Sequence, residues 1–251
     1  MKTSYLYPDI LNKRAEGKRM LAVLVDPDKS GPEECAKLAE ASVMARVDYF
    51  FCGSSLITKG NMEDCISTLK SYCNIPVIIF PGSHMQVSGK ADALLFLSLV
   101  SGRNPEMLIG KHVLAAPAVK KSGIEVIPTA YLLIDGGKLT SVNYMSNTLP
   151  IPADKPDIAA CTAMAAEMLG MKLIYLDAGS GAENTVSPGM IAQVKTSTSL
   201  PLIAGGGIRT AKEAEAICRA GADMIVIGNV LEKDLSVLEE ISDAVHAVYT
   251  N

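Results

Sequence analysis

The sequence predicts an α/β fold, a TIM (β/α)8 barrel, in one domain over residues 1–251. Three observations predict it. Eight short, nearly continuous apolar runs recur at even spacing, as parallel strands covered on both faces should. Longer amphipathic segments lie between most of them. Several of these segments carry proline in the first turn and close on glycine, the usual asymmetry of helix ends. A doubly wound open sheet is the alternative, but eight parallel strands of even spacing favour closure.

The elements run in order along the chain. Strand one is "MLAVLV" (20–25), followed by a helix at "PEECAKLAEASVM" (32–44). Strand two, "DYFFCG" (48–53), leads to a helix over 61–73. Strand three, "PVIIF" (76–80), and strand four, "ALLFLS" (93–98), have only "PGSHMQVSGKAD" between them. A crossover helix with two loops hardly fits that length. The helix after strand three is therefore expected to be missing or reduced, leaving a gap in the outer ring. A helix over 105–123 follows strand four. Strand five is "EVIPTAYLLI" (125–134). Beyond it, "DGG" within "YLLIDGGKLTSVNYMS" (131–146) reads as an inserted β-hairpin. The proline-marked loop "NTLPIPADKP" then precedes a helix over 156–170. Strands six to eight, "KLIYLD" (172–177), "PLIAG" (201–205) and "DMIVIG" (223–228), alternate with helices over 188–198, 210–221 and 232–249.

Composition narrows the function classes. The apolar fraction of 49% supplies a sizeable core. A net charge of −4, with dispersed charges, argues against a nucleic-acid partner. The amino terminus lacks an apolar signal core, and no apolar run is long enough to span a bilayer, so a cytoplasmic protein without a transmembrane segment is expected. The six cysteines form no CxxC pair and the three histidines show no metal-ligand spacing. Free thiols are expected. The many apolar helix positions suggest a homo-oligomer.

In a barrel of this type the chemistry sits at the carboxyl ends of the strands. Gly205, Gly206 and Gly207 follow strand seven, and Gly228 and Asn229 follow strand eight at an expected helix start. Unpaired backbone N–H groups and a helix dipole favour an anion there, and glycine removes the Cβ that would hold a phosphate away. Either loop alone reads equally as a plain turn. Together, at strands seven and eight, they favour a phosphate site carried by Gly206 and Gly207, while Gly205 ends the strand. "YLDAGSGA" (175–182) follows strand six and offers Tyr175, Asp177 and Ser180; an ordinary turn with Ser180 as a helix cap competes with that reading. Asp26 ends strand one and Ser54 follows strand two. One carboxylate and one hydroxyl suit Mg²⁺ only when phosphate oxygens and water complete its shell, and Asp26 as a mere cap is a fair competitor. The gap at strand three would admit an elongated ligand, with "ALLFLSLVSG" and Tyr131 as apolar walls.

"LAVLVDPDK", "CGSS", "PVIIFPGS", "ADALLFLSLVSGRNP", "EVIPTAYLLI", "IYLDAGSGA", "LIAGGGIR" and "VIGN" resemble, in order and nearly end to end, the geranylgeranylglyceryl phosphate synthase family, to which bacterial heptaprenylglyceryl phosphate synthases are related. The resemblance implies a Mg²⁺-dependent prenyltransferase. It would join a polyprenyl diphosphate, geranylgeranyl diphosphate foremost, to the C3 hydroxyl of sn-glycerol 1-phosphate and release diphosphate. It implies Mg²⁺ at Asp26 and Ser54. It places the glycerol phosphate at Tyr175, Leu176, Asp177, Ala178, Gly179, Ser180 and Gly181, at Gly206 and Gly207, and at Gly228 and Asn229. Asp177 is then the catalytic carboxylate, standing where many members carry glutamate. Two alternatives are another phosphate-binding barrel enzyme, a sugar-phosphate isomerase or FMN-dependent, and a non-catalytic binder of isoprenoid phosphates.

Overall fold

The computed structural model describes residues 5–249. Eight parallel strands close into a barrel in sequence order. They are β1 (Met20–Val25), β2 (Tyr49–Cys52), β3 (Val77–Ile79), β4 (Ala93–Leu99), β5 (Glu125–Leu133), β6 (Leu173–Asp177), β7 (Leu202–Gly205) and β8 (Met224–Ile227). Each predicted apolar run coincides with one of them, β4 reaching one residue further to Leu99.

Strand alternation builds two cores. Tyr49, Phe51, Ile78, Leu95, Tyr131, Tyr175, Ile203 and Met224 point inward and fill the barrel. Phe50, Cys52, Val77, Leu94, Leu132, Leu176 and Ile225 point outward against the helices. That double burial is why the strands read as unbroken apolar runs.

The ring of helices is α2 (Pro32–Met44), α3 (Met62–Tyr72), α4 (Lys111–Ser122), α6 (Pro156–Met168), α7 (Pro188–Ser197), α8 (Ala211–Arg219) and α9 (Val237–His246). The pattern on α3 is typical: Met62, Cys65, Ile66 and Leu69 are buried at helical spacing, and the Asn61 side chain accepts from the amides of Glu63 and Asp64. Such a cap contributes about 1 kcal/mol, and each fully buried Leu or Ile about 1.5–3 kcal/mol. Residues 81–92 contain no helix, so the third position of the ring is open as expected.

Three expectations are corrected. No hairpin follows β5. After the Gly136–Gly137 turn the chain forms a short helix, α5 (Ser141–Ser146), and only Ile134 bridges to Ile151. Asn143 Oδ1 accepts from the Thr140 amide and fixes the start of α5. The helix expected over 232–249 begins only at Val237, because residues 229–236 are spent on turns. A helix not anticipated, α1 (Leu6–Ala15), covers the amino-terminal end of the barrel. Leu6 and Ile10 plug the interior core from below, and the Lys13 ammonium meets Asp48 at 2.9 Å. The cysteines are free thiols, and Cys35, Cys52, Cys65 and Cys218 are buried. Among the described residues, no helix is long and apolar enough to cross a membrane.

Candidate active site

The register of the barrel assembles the site. Asp177, the last residue of β6, lies beside Leu133 of β5 and Gly205 of β7. Its side chain is buried, at 7% exposure. The Tyr131 hydroxyl donates to Asp177 Oδ2 at 2.5 Å, and the Gly179 amide donates to Oδ1 at 2.7 Å. Burial pushes the Asp177 pKa above its ordinary value, while those two hydrogen bonds pull it back. Burial, reinforced by the Asp177 charge, also raises the phenols of Tyr131 and Tyr175 well above their usual range. Both therefore remain protonated donors at neutral pH. Tyr131 donates to Asp177; the Tyr175 hydroxyl has no hydrogen-bond partner among the described residues and faces the cavity.

Tyr131, expected along the apolar groove, stands inside the barrel. It meets the Tyr175 ring edge-on at 5.5 Å, and Phe80 stacks on Tyr175 at 5.1 Å. Gly205 does more than end its strand: a Cβ there would lie 2.6 Å from the Tyr175 hydroxyl. The glycine therefore makes room for the phenol.

The glycine loops gather unpaired amides at the barrel mouth, though without the helix start expected at Asn229. Gly206 and Gly207 adopt φ of +84° and +75°, a region that costs other residues roughly 1–2 kcal/mol. A Cβ on Gly206 would come within 2.7 Å of Asp177 Oδ1. The amides of Ser180, Gly181, Gly207 and Asn229 donate to no other described residue. The Ser180 hydroxyl donates to Asn229 Oδ1 at 2.7 Å, tying the two loops together. Ser187, not Ser180, caps the next helix. Asn229 begins a turn rather than a helix, so oriented loop amides supply the positive field there. Within the predicted stretch 175–181, Leu176 and Ala178 pack outward into the core. The amides of Ala178 and Gly179 are engaged by Gly205 O and Asp177.

Across the barrel mouth, the Ser54 hydroxyl donates to Asp26 Oδ2 at 3.1 Å, so the two strand-end oxygens meet as expected. Asp26 Oδ1 accepts from the Asp28 amide. The donor set is oxygen alone, which suits a hard cation. Among the described residues no group of three or more His, Cys, Asp or Glu is arranged to hold a metal, so any ion at Asp26–Ser54 would take its remaining ligands from substrate and water.

One cavity of about 1130 Å³ connects these parts. It runs from Gly206, Gly207, Gly228 and Asn229 past Asp177 and Tyr175 to Asp26 and Ser54. From there it continues between α4 and the helix-free 81–92 segment, along Val87, Leu94, Phe96, Ala115 and Val119. The outward residues of β4 and one face of α4 thus make an apolar groove where the third helix is missing. His112 lies in its wall, edge-on to Phe96 at 4.5 Å and 3.1 Å from the Ser98 hydroxyl.

The pattern of the PcrB family matches residues 12–249. The chain belongs to the PcrB family. Among its PcrB-family relatives, geranylgeranylglyceryl phosphate synthase of Chitinophaga pinensis is 55% identical over 242 residues, covering 96% of each chain. The synthase of Methanothermobacter marburgensis is 42% identical over 248 residues, covering 99% of each. The crystal structure of (S)-3-O-geranylgeranylglyceryl phosphate synthase from Thermoplasma acidophilum, solved in complex with sn-glycerol 1-phosphate, superposes with a TM-score of 0.92. That structure is 37% identical and covers 98% of this chain and 100% of its own. Tryptophan synthase α subunits share the barrel at a TM-score of 0.60 and 15% identity, a likeness of fold alone.

Several parts of this PcrB-family site are not evident from sequence. Phe80 reads as a strand residue, yet it shares the inner aromatic cluster with Tyr131 and Tyr175. Ala115 and Val119 sit four residues apart on α4, and that spacing carries a signal for a shared face. The paired outward positions Leu94 and Phe96 carry the matching strand signal. Gln86 lies inside the short 81–92 segment, where no periodicity marks it, but it is buried at 6% exposure.

Proposed function

We propose that this PcrB-family chain is a Mg²⁺-dependent prenyltransferase that joins a polyprenyl diphosphate to the C3 hydroxyl of sn-glycerol 1-phosphate, with geranylgeranyl diphosphate as the donor. The observation that carries the reading is the continuity of the cavity. A cradle of unpaired amides, a buried carboxylate, an Asp–Ser oxygen pair and a long apolar groove share one space. A small phosphorylated alcohol and an isoprenoid diphosphate need those four features in that order.

Each residue then has a task. The amides of Ser180, Gly181, Gly207 and Asn229 bind the glycerol phosphate headgroup, each charge-assisted bond contributing roughly 1.5–3 kcal/mol. The Tyr175 hydroxyl donates to the alcohol portion. Asp177, oriented by Tyr131 and Gly179, holds the reacting hydroxyl and takes its proton as the ether bond forms. Asp26 and Ser54 would hold Mg²⁺, whose contribution is to neutralise the charge of the leaving diphosphate. Phe80, Tyr131 and Tyr175 form an aromatic cluster beside Asp177, whose electron-rich rings stabilise developing positive charge on the allylic carbon. The groove buries the prenyl tail at about 0.8 kcal/mol per CH₂. The neighbouring alternatives lack support here, because an isomerase or flavin enzyme has no use for the apolar groove.

The decisive experiment is direct. Purified protein with Mg²⁺, sn-glycerol 1-phosphate and labelled C15 to C35 diphosphates yields a lipid-soluble product, fastest with the C20 donor. No product with any donor would sink the reading. Gly206→Ala places a methyl against Asp177 and raises the KM for glycerol phosphate by at least about tenfold, since one lost charge-assisted bond is worth that much. An unchanged KM would remove the cradle from glycerol phosphate binding. A homo-oligomer belongs to the same reading, with the exposed residues Ile109, Val113 and Leu114 beside and along α4 as its apolar face. Light scattering at micromolar concentration gives a mass above 26.5 kDa if so.

A further inference from the structure

The oxygen pair Asp26–Ser54 depends on where the backbone puts Ser54. Asp26 closes a loop whose carbonyl accepts from the amides of Lys29 and Ser30. Ser54 has no such local support. The β2 ladder stops at Cys52, the Gly53 amide makes a last bond to Val25 O, and residues 53–60 form neither helix nor strand.

What holds Ser54 comes from the helix-free connection on its far side. The Gln86 side chain is buried, and both ends of its amide are used. Its Nε2 donates to the Ser54 carbonyl at 2.9 Å, and its Oε1 accepts from the Gly82 amide at 3.0 Å. The packing there is close enough that a side chain on Gly82 would overlap the Ser54 carbonyl. On the near side, the Asp28 carboxylate accepts from the amides of Thr58, Lys59 and Gly60 and from the Thr58 hydroxyl. The loop carrying Ser54 is therefore clamped from two directions, by Asp28 beyond it and by Gln86 at Ser54 itself.

We infer that Gln86 is a positioning residue for the Asp26–Ser54 pair, setting the Ser54 hydroxyl for a metal-bound diphosphate. The chemistry requires an amide. Gly82 N–H needs an acceptor and Ser54 C=O needs a donor, and one side chain of this length satisfies both only as glutamine. Glutamate keeps the acceptor but faces the Ser54 carbonyl with negative charge. Methionine fills the same volume and offers neither bond. The segment that lost its helix to open the groove thus also anchors the opposite wall of the site. The inference rests on the assignment of Mg²⁺ to Asp26 and Ser54.

Gln86→Met and Gln86→Glu test it by calorimetric titration with Mg²⁺ and inorganic diphosphate. Both variants are expected to bind magnesium diphosphate about tenfold or more weakly than wild type, the cost of one misplaced ligand. Titration with sn-glycerol 1-phosphate, held at the far side of the mouth, stays within about twofold. In steady-state assays the KM for the prenyl donor rises and the KM for glycerol phosphate does not, a split that general loosening of the fold would not produce. Magnesium diphosphate binding within about twofold of wild type in either folded variant would overturn the inference. Thermal unfolding followed by circular dichroism identifies the folded variants, and if Gln86→Met loses its cooperative transition, Gln86→Glu decides by the same criteria. If Asp26→Ala binds magnesium diphosphate as wild type does, the metal assignment itself falls and takes the role of Gln86 with it.

Discussion

Replacing Asp177 by asparagine lowers kcat by about 10²–10⁴-fold, the range for loss of a positioned acid–base group. The fold survives the change. Asparagine keeps an oxygen for the Gly179 amide, its NH₂ group donates to the Tyr131 hydroxyl oxygen in place of accepting from it, and it removes a carboxylate that burial disfavours. The sign of the stability effect follows from the raised pKa. The folded protein holds the Asp177 proton more tightly than the unfolded chain, so this group's contribution is fully present below the ordinary aspartate pKa. It is lost as pH rises through the folded value. The stability of the asparagine variant relative to wild type therefore improves from acid toward neutral pH, measurable as melting temperature against pH. In wild type, the acid limb of the kcat profile lies above the range in which an exposed aspartate titrates, because only the ionised form accepts the proton. Tyr131→Phe removes a hydrogen bond that lowers the Asp177 pKa, so that limb moves further toward neutral pH. A kcat for Asp177→Asn within a few-fold of wild type would end its role as proton acceptor.

Asp26→Ala abolishes Mg²⁺-dependent turnover, a loss of about a thousandfold or more, since metal stabilisation of a departing diphosphate is worth several kcal/mol. The substitution leaves the loop backbone held by the Lys29 and Ser30 amides on the Asp26 carbonyl. It sacrifices the bonds from the Asp28 amide and the Ser54 hydroxyl, each worth about 1 kcal/mol. Glycerol phosphate binding is unaffected, because the cradle is built on β6, β7 and β8. Calorimetry with that ligand separates the two effects. Wild-type rates in this variant would remove the metal from Asp26.

The barrel is legible in the sequence because burial on both faces leaves a continuous apolar signature, and eight such runs leave few ways to pair. The open position is legible because twelve residues between Phe80 and Ala93 cannot hold a crossover helix. The region after β5 misleads. There "DGG" is a strong hairpin signal, but Gly136 packs against Ala178 and Ala182 and turns the chain toward a helix fixed by Thr140 and Asn143. The helix start expected at Asn229 fails for a related reason: glycine and asparagine at a strand end announce a turn and leave the next element unspecified. The helix α1 escapes notice because only Leu6 and Ile10 of its ten residues are buried, too sparse a pattern to register. Asp26, Ser54 and the glycine loops are legible because strand ends locate chemistry in this fold. Gln86 is not, since its meaning lies in two bonds to Gly82 and Ser54, and Ser54 is 32 residues away in sequence.

The missing helix also changes how the two substrates meet. A barrel with an unbroken ring has one doorway, at its top, through which every reactant and product must pass in turn. In the proposed reaction the top receives the polar headgroup while the flank, between α4 and the 81–92 segment, receives the tail. The lengths of the two routes are independent. Alterations along the flank, at Ala115 or Val119, tune which tail fits without disturbing the atoms that form the bond. Alterations at the top act on the chemistry without changing the tail accepted. Donor preference and bond formation are therefore separately adjustable around one barrel.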